Sequence, residues 1–111
     1  MTDHTPKTLE VLLASEKQVF LKLWKKGCGP CQLSTSAIER IEKKWAGEIH
    51  FAQISVTEYP EMLEIAETDV LPIFFAFENG KFLSRLEGFK GLKSLEEFTS
   101  KFFKTVDSQN G

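Results

Sequence analysis

Residues 19–24 read Val-Phe-Leu-Lys-Leu-Trp, so both faces of an extended chain through this segment are almost entirely apolar. A strand of this kind is stable where layers cover it on two sides, as at the centre of a sheet with helices above and below. The segment therefore predicts the central strand of an α/β domain. A chain of 111 residues is long enough for one such domain, which buries roughly two-thirds of the surface of its unfolded chain without metals or disulfide cross-links.

The rest of the sequence alternates between helical and extended patterns. The connection from the first long strand to the second is a helical crossover, so these strands are predicted to be parallel. Asn79-Gly80 predicts a type I′ turn, which needs positive φ at both positions and makes the last two strands antiparallel. The fold class is therefore α/β, with a mixed sheet of four to five strands, helices on both faces, and a single domain over residues 1–111 whose tail, 106–111, is disordered. In chain order, the patterns predict a helix from Pro6 to about Ser15, strand 19–24, helix 32–45, strand 49–56, a short helix opened by Pro60, strands 72–77 and 81–87, and a last helix with a capping box of Ser94 and Glu97.

The charge and hydropathy of the chain exclude several classes of partner. Its formal net charge is −2 and its isoelectric point is about 5.7, so it lacks the basic surface that nucleic acid or acidic lipid requires. Residues 1–17 show no basic-then-apolar signal pattern, and no apolar run reaches the length of a membrane span. We therefore expect a cytoplasmic protein that binds neither nucleic acid nor membrane, although a mature chain cut from a precursor would show the same pattern.

Cys28 and Cys31 are the only cysteines. A secreted disulfide scaffold uses several pairs at longer spacing. A structural zinc site within one chain needs two more Cys or His ligands, and the two histidines, His4 and His50, lack a paired ligand spacing. The pattern favours redox chemistry, with a zinc or iron–sulfur centre shared between two chains as an alternative.

The tetrapeptide Cys28-Gly29-Pro30-Cys31 stands between the buried strand and the helix that follows it. Cys28 is therefore predicted at a helix N-terminus, where unpaired N–H groups and the positive end of the helix dipole favour the thiolate. Because the thiolate is the attacking species in disulfide exchange, a lowered thiol pKa raises the reactive fraction. Two intervening residues let Cys31 reach back to Cys28 within the first helical turn.

Together with its surroundings, this motif resembles the thioredoxin family over about residues 8–104. Trp24 precedes the cysteines, and Pro72 and then Gly88 follow them in the family's register. The hairpin at residues 78–81 also follows Pro72 where the family places its own. The resemblance implies the thioredoxin fold and the reduction of protein disulfides by dithiol–disulfide exchange.

The resemblance also implies a role for each matching position. Cys28 would be the exposed nucleophile, and the more buried Cys31 would resolve the mixed disulfide. The Leu71–Pro72 peptide bond would be cis and would face the cysteines. No bound cofactor is implied beyond the redox-active Cys28–Cys31 disulfide, and electrons would come from an NADPH-dependent thioredoxin reductase. The docking surface for protein disulfide substrates would be lined by Trp24, Gly29, Pro30, Leu71 and Gly88.

Lys22 departs from the family pattern, because it occupies the position of a buried acid that manages the proton of the second cysteine. The usual lysine partner of that acid is matched here by Gln53. One hypothesis is that Lys22 approaches the cysteines from beneath, where a desolvated amine with a lowered pKa would act as a base or its charge would stabilise a thiolate. The alternative is that its aliphatic stem packs in the strand while the ammonium reaches solvent.

The residues around the motif depart from the pattern as well. Gly27 replaces the aromatic residue that usually precedes the nucleophile. Glu87 places a charge on one side of the docking surface, and Lys25 and Lys26 lie on the other side. Rim charges select partners more than they add affinity, so these residues predict either a narrower clientele or neutral surface drift. A module that binds a partner on the Leu71-Pro72 surface with little turnover is the second alternative to the oxidoreductase.

The N-terminal segment leaves little room for the family's first strand. Residues 1–4 are short and polar, so the sequence leaves open whether this strand is present. Without it, strand 49–56 would be an exposed edge, which proteins usually cover or pair. We expect a monomer, with a dimer paired through this edge as the alternative.

Overall fold

The computed structural model describes residues 1–105, so the tail predicted to be disordered lies outside the described residues. No helix in the described part of the chain is long and apolar enough to cross a membrane. In chain order the elements are β1 (Thr2–Asp3), α1 (Pro6–Ser15), β2 (Gln18–Trp24), α2 (Gly29–Lys44), β3 (His50–Ser55), α3 (Glu61–Ala66), β4 (Ile73–Glu78), β5 (Lys81–Glu87) and α4 (Leu92–Phe102).

The strands form one mixed sheet in the order β1-β3-β2-β4-β5. β2 lies at its centre, parallel to β3 and antiparallel to β4, and β5 forms a hairpin with β4. The two turn residues of this hairpin, Asn79 and Gly80, have φ angles of 51° and 80°. The mixed sheet, the parallel pairing of β2 with β3 and the antiparallel hairpin of β4 and β5 are therefore confirmed.

Alternating side chains of β2 enter cores on both faces of the sheet. Phe20 belongs to the core formed with α2 and α4, where its ring centroid lies 5.5 Å from that of Phe74. Leu21 is buried in the opposite core, which α1 and α3 cover. Since residues two apart share a face, Lys22 and Trp24 lie on the same side of the sheet as Phe20, and this is the side that carries α2.

β1 is present, so the sheet has five strands, which decides the question that the sequence left open. It spans only Thr2–Asp3 and pairs in parallel with Ala52 and Gln53 of β3. The backbone N–H of His4 continues the pairing by donating to the Gln53 carbonyl at 2.8 Å. The sequence could not decide this because backbone hydrogen bonds hold the segment in place, and a short run of exposed polar side chains carries no apolar alternation.

The capping box predicted at Ser94 and Glu97 is wrong. α4 already begins at Leu92, after Gly91 as N-cap residue with a φ of 100°, and no side chain caps this end. Ser94 therefore lies inside the first turn, where its backbone is helical and cannot take the N-cap conformation.

Candidate active site

Cys28 stands at the junction between β2 and α2. β2 ends at Trp24, and the chain turns through Gly27, whose φ of 78° lies in the region that favours glycine. Cys28 is the N-cap residue of α2, which begins at Gly29 and not at residue 32 as predicted. Pro30 fits the first turn because the N–H that proline lacks has no partner there. The central strand thus places the cysteine pair at the end of the sheet where β2 stops.

Cys28 and Cys31 are joined by a disulfide, and their Cα atoms are 5.3 Å apart. The backbone N–H of Cys31 donates a hydrogen bond to Cys28 Sγ at 3.1 Å. This donor and the positive end of the helix dipole favour negative charge on the Cys28 sulfur once the disulfide opens. The arrangement suits a pair that cycles between disulfide and dithiol, with Cys28 as the better nucleophile.

The burial of Cys28 differs from what the resemblance implied. Cys28 is only 6% exposed and Cys31 is 2% exposed, so Cys31 is the more buried of the two, but Cys28 is not openly accessible. The reason is that Cys28 Sγ is bonded to Cys31 Sγ and also accepts the Cys31 N–H. Its neighbours Gly29 and Pro30 are exposed, which places the sulfur just beneath the molecular surface.

The Leu71–Pro72 segment lies at the same end of the sheet as the cysteines, and its peptide bond is cis, as predicted. Antiparallel pairing sets Ile73, the first residue of β4, beside Leu23 near the end of β2. Ile73 also pairs with Glu87 at the end of β5. Gly88 follows with a φ of 80° and donates its N–H to the Pro72 carbonyl at 2.7 Å. The strand pairing therefore brings the segments that contain the predicted site residues to one end of the sheet.

Lys22 approaches the cysteine pair from the sheet side. It is 5% exposed, and its Nζ donates a hydrogen bond to the Cys31 carbonyl at 3.0 Å. The structure thus shows the approach from beneath and not the extension of the ammonium into solvent. Burial lowers the pKa of Lys22 from its usual value. Its direct neighbours in the sheet are Gln53 on β3 and Phe74 on β4.

Two hydroxyl groups that support the site were missed from the sequence. Ser34 is fully buried and its Oγ donates to the Cys31 carbonyl at 2.7 Å. Thr57 Oγ1 accepts the backbone N–H of Lys26 at 3.0 Å, which ties the loop before the cysteines to the segment after β3. The signal for Ser34 was its position on the apolar side of α2, one helical turn after Cys31, whereas Thr57 carried no signal.

A cavity of about 380 Å³ opens beside Cys31 and extends to Lys22. Trp24 is half-buried at this cavity, and its indole N–H is buried without a hydrogen-bond partner among residues 1–105. At the end of β5, the Glu87 carboxylate is paired with Arg85 at 2.7 Å, so the charge predicted at Glu87 is balanced. The charged residues that line the cavity are Lys22, Lys25, Lys26, Glu39 and Glu42.

A C-x-x-C disulfide at the first turn of a helix, set on the central strand of a mixed sheet and close to a cis proline, defines the class of thiol–disulfide exchange domains. The sequence profile of the thioredoxin family matches residues 1–101, and the chain belongs to this family. The resemblance and the fold predicted from the sequence are thereby confirmed.

Relatives of known name extend this finding. The chain is 32% identical over 79 residues to chloroplastic thioredoxin Y of Oryza sativa subsp. japonica, covering 71% of this chain and 47% of that protein. It is 29% identical over 84 residues to a thioredoxin of Mycobacterium tuberculosis, covering 76% and 72%. The same identity and length relate it to a bifunctional thioredoxin reductase/thioredoxin of Mycobacterium leprae, of which it covers 18%. The chain therefore spans less than half of two of these three relatives.

Solved structures show the same fold. Oxidized mitochondrial thioredoxin 3 from Saccharomyces cerevisiae superposes with a TM-score of 0.82 at 18% identity, covering 91% of this chain and 94% of that one.

Within residues 1–105, no group of three or more His, Cys, Asp and Glu side chains is placed to hold a metal ion.

Proposed function

We propose that this protein is a thiol–disulfide oxidoreductase that reduces disulfides of other proteins. The observation that carries the proposal is the Cys28–Cys31 disulfide at the start of α2, with the Cys31 N–H donated to Cys28 Sγ. Membership of the thioredoxin family supports the same activity. The redox-active pair is itself the cofactor of this reaction.

The reaction follows from the positions of the two sulfurs. In the reduced protein the Cys28 thiolate attacks one sulfur of the client disulfide, and the other client sulfur leaves as a thiolate that takes up a proton. Cys31 then attacks Cys28 Sγ, closes the intramolecular disulfide and releases the second client thiol. Two electrons and two protons pass from the dithiol to the client, so the exchange balances.

The client is proposed to dock on the surface around the cysteines, at the end of the sheet where β2 stops. Leu71 precedes β4, so its backbone is positioned to pair with an extended client segment, as in other recognition by strand addition. Gly88 keeps this surface low because it has no side chain. The proposed docking residues are Trp24, Gly29, Pro30, Leu71, Pro72 and Gly88.

An NADPH-dependent thioredoxin reductase is the proposed electron donor. The Mycobacterium leprae relative is named a bifunctional thioredoxin reductase/thioredoxin, which supports a pairing of these two activities. We propose a monomer in the cytoplasm, where a reductase keeps the dithiol reduced. There it would serve electron transport and redox homeostasis.

Trapping of mixed disulfides tests the proposal. Cys31→Ser retains the attacking sulfur but removes the resolving one, so it should accumulate disulfide-linked clients in a cell lysate, identified by mass spectrometry. Cys28→Ser is the matched control and should trap none. The unaltered protein should reduce insulin disulfides with dithiothreitol as electron source, whereas each variant should lose nearly all of this activity.

Each failure has a distinct reading. Absence of both trapped clients and insulin reduction would overturn the oxidoreductase. Non-covalent capture of a partner without turnover would point to the binding module. Stoichiometric zinc, or a visible absorption band from an iron–sulfur cluster in the purified protein, would point to the shared metal centre.

A further inference from the structure

Lys22 is held against the backbone of the resolving cysteine without a counter-ion. Its Nζ donates to the Cys31 carbonyl at 3.0 Å, and Ser34 Oγ donates to the same carbonyl at 2.7 Å. Among residues 1–105, Lys22 forms no ion pair, and this carbonyl is the only hydrogen-bond acceptor of Nζ. A buried ammonium without an anion is unfavourable. The disulfide form of the site therefore lacks a negative charge that Lys22 would stabilise.

The groups that face Lys22 from neighbouring elements do not supply this charge. On β3 its neighbour is the neutral Gln53, whose side-chain amide donates to Asp3 Oδ1 at 2.7 Å. On β4 its neighbour is Phe74. The one group at this contact that gains negative charge during the reaction cycle is Cys31, when the disulfide is open. The other ionisable residues lining the shared cavity are Lys25, Lys26, Glu39 and Glu42, and Glu42 is paired with the Met1 ammonium at 2.7 Å.

We propose that Lys22 is the general base of the resolving step: its amine takes up the proton of the Cys31 thiol and holds the resulting thiolate ready to attack Cys28. This inference rests on the proposed oxidoreductase function and adds the residue that sets the pH dependence of its second half. The geometry favours it because the amine is buried, donates to the Cys31 carbonyl and forms no ion pair among residues 1–105.

The proton and the electrons balance within the step. In the mixed disulfide, the S–H bond of Cys31 breaks and its proton moves to neutral Lys22 Nζ. The Cys31 thiolate bonds to Cys28 Sγ while the bond from Cys28 to the client sulfur breaks, and the client leaves with the electron pair. Lys22, again without an anion, returns the proton to the client thiolate or to water.

Burial shifts the pKa of Lys22 in the direction that this step needs. Because desolvation lowers the pKa of Lys22, the amine gives up its proton more readily than a solvated lysine does. Once the Cys31 thiolate forms, the two opposite charges stabilise each other where water is excluded. The pair therefore extends fast resolution to a lower pH than a thiol without a base would reach.

The aromatic disulfide dithiobis(nitrobenzoate) separates the two halves of the reaction. Attack by Cys28 releases a first equivalent of coloured thiolate, and closure by Cys31 releases a second. Lys22→Met should retain the first phase and slow the second about 100-fold at pH 7, which is within the usual contribution of acid–base catalysis. The difference should close as the pH rises past about 8.5, where thiols ionise unaided.

Two further variants separate proton transfer from a structural role. Lys22→Arg keeps the charge and a donor for the Cys31 carbonyl but does not release its proton, so its second phase should stay slower than that of the unaltered protein. Ser34→Ala removes the other donor to the same carbonyl without removing a base, so the pH at which the second phase is half-maximal should not move.

The outcomes are distinguishable. If the unaltered protein shows no first phase, the oxidoreductase function fails. If Lys22→Met keeps both the rate and the pH profile of the second phase, the role of Lys22 is overturned while the function stands. Full second-phase activity of Lys22→Arg would also overturn proton transfer, and this variant carries the test if Lys22→Met does not fold.

Discussion

At the scale of single residues, the Cys31 carbonyl is the point where the active site meets the core. It accepts hydrogen bonds from the buried Lys22 Nζ and from the buried Ser34 Oγ. One donor comes from β2 and the other from α2, the helix that carries Cys31, and together they fix the backbone of this cysteine. The Cys31 sulfur can then exchange bonding partners while its backbone stays in place.

The burial of Lys22 predicts how stability depends on pH in the disulfide form. Its pKa is lowered in the folded protein but is about 10.4 in an unfolded chain, so unfolding takes up a proton in the window between these values. The free energy of unfolding should therefore rise with pH across that window, with a slope of up to about 1.4 kcal/mol per pH unit. Lys22→Met lacks this contribution, so its stability advantage below the window should shrink as the pH rises.

Denaturant unfolding of the oxidised protein at a series of pH values measures this effect. Lys43→Met is the matched control, because Lys43 is exposed on α2 and its replacement should leave the slope unaltered. Parallel stability curves for the unaltered protein and Lys22→Met would contradict the prediction.

The sequence located the chemistry of the site better than its surroundings. Cys28, Cys31 and the Leu71–Pro72 bond follow from a local motif and a register, both of which are written in the order of residues. Whether Lys22 enters solvent or the core is decided by its neighbours across the sheet, Gln53 and Phe74, and these are distant in sequence. The low exposure of Cys28 has a local cause instead, the contacts of its sulfur with Cys31.

At the scale of elements, periodic patterns predicted the long strands and helices, and local turn chemistry predicted the hairpin. Errors fell at ends, where few residues carry the pattern. α2 begins earlier than predicted because Cys28 caps it, although a cysteine is not an expected N-cap. The presence of β1 was left undecided because its two residues are held by backbone pairing with β3, which has no effect on the side-chain pattern.

Gly47 and Gly80 form a matched pair for the packing of the hairpin against α1. Both have a φ of 80°, so replacement by alanine incurs the same backbone penalty of about 1 kcal/mol. A Cβ at Gly47 meets no atom within 4 Å, whereas one at Gly80 lies 3.1 Å from the Leu13 carbonyl oxygen. Gly80→Ala should therefore lower the free energy of unfolding by about 2 kcal/mol or more, and Gly47→Ala by about half as much.

Guanidinium unfolding of both variants measures the difference between them. The loss of unfolded-chain entropy is common to both substitutions and cancels in this comparison. Equal destabilisation of the two variants would show that α1 yields to the added carbon and that the contact does not restrain the hairpin.

At the scale of the whole molecule, the sheet has two unlike edges. β5 forms one edge as the outer arm of a hairpin, and the other edge of the sheet is covered by the two residues of β1. Side chains as well as backbone groups hold β1 against β3, because Gln53 Nε2 donates to Asp3 Oδ1 at 2.7 Å. The edge-paired dimer considered from the sequence therefore meets a strand already in place.

Removal of residues 1–4 should cause the protein to associate. The deletion exposes the backbone N–H and C=O groups of β3 at Ala52 and Gln53, which then offer an unpaired edge to a second copy. A net charge of only −2 in the full chain opposes such pairing weakly. Sedimentation equilibrium should show a single monomeric species for the full chain and concentration-dependent dimers for the truncated one. Asp3→Ala, which keeps the β1 backbone but removes the bond to Gln53, should stay monomeric; a truncated protein that also stays monomeric would mean that β1 is not what keeps this edge unpaired.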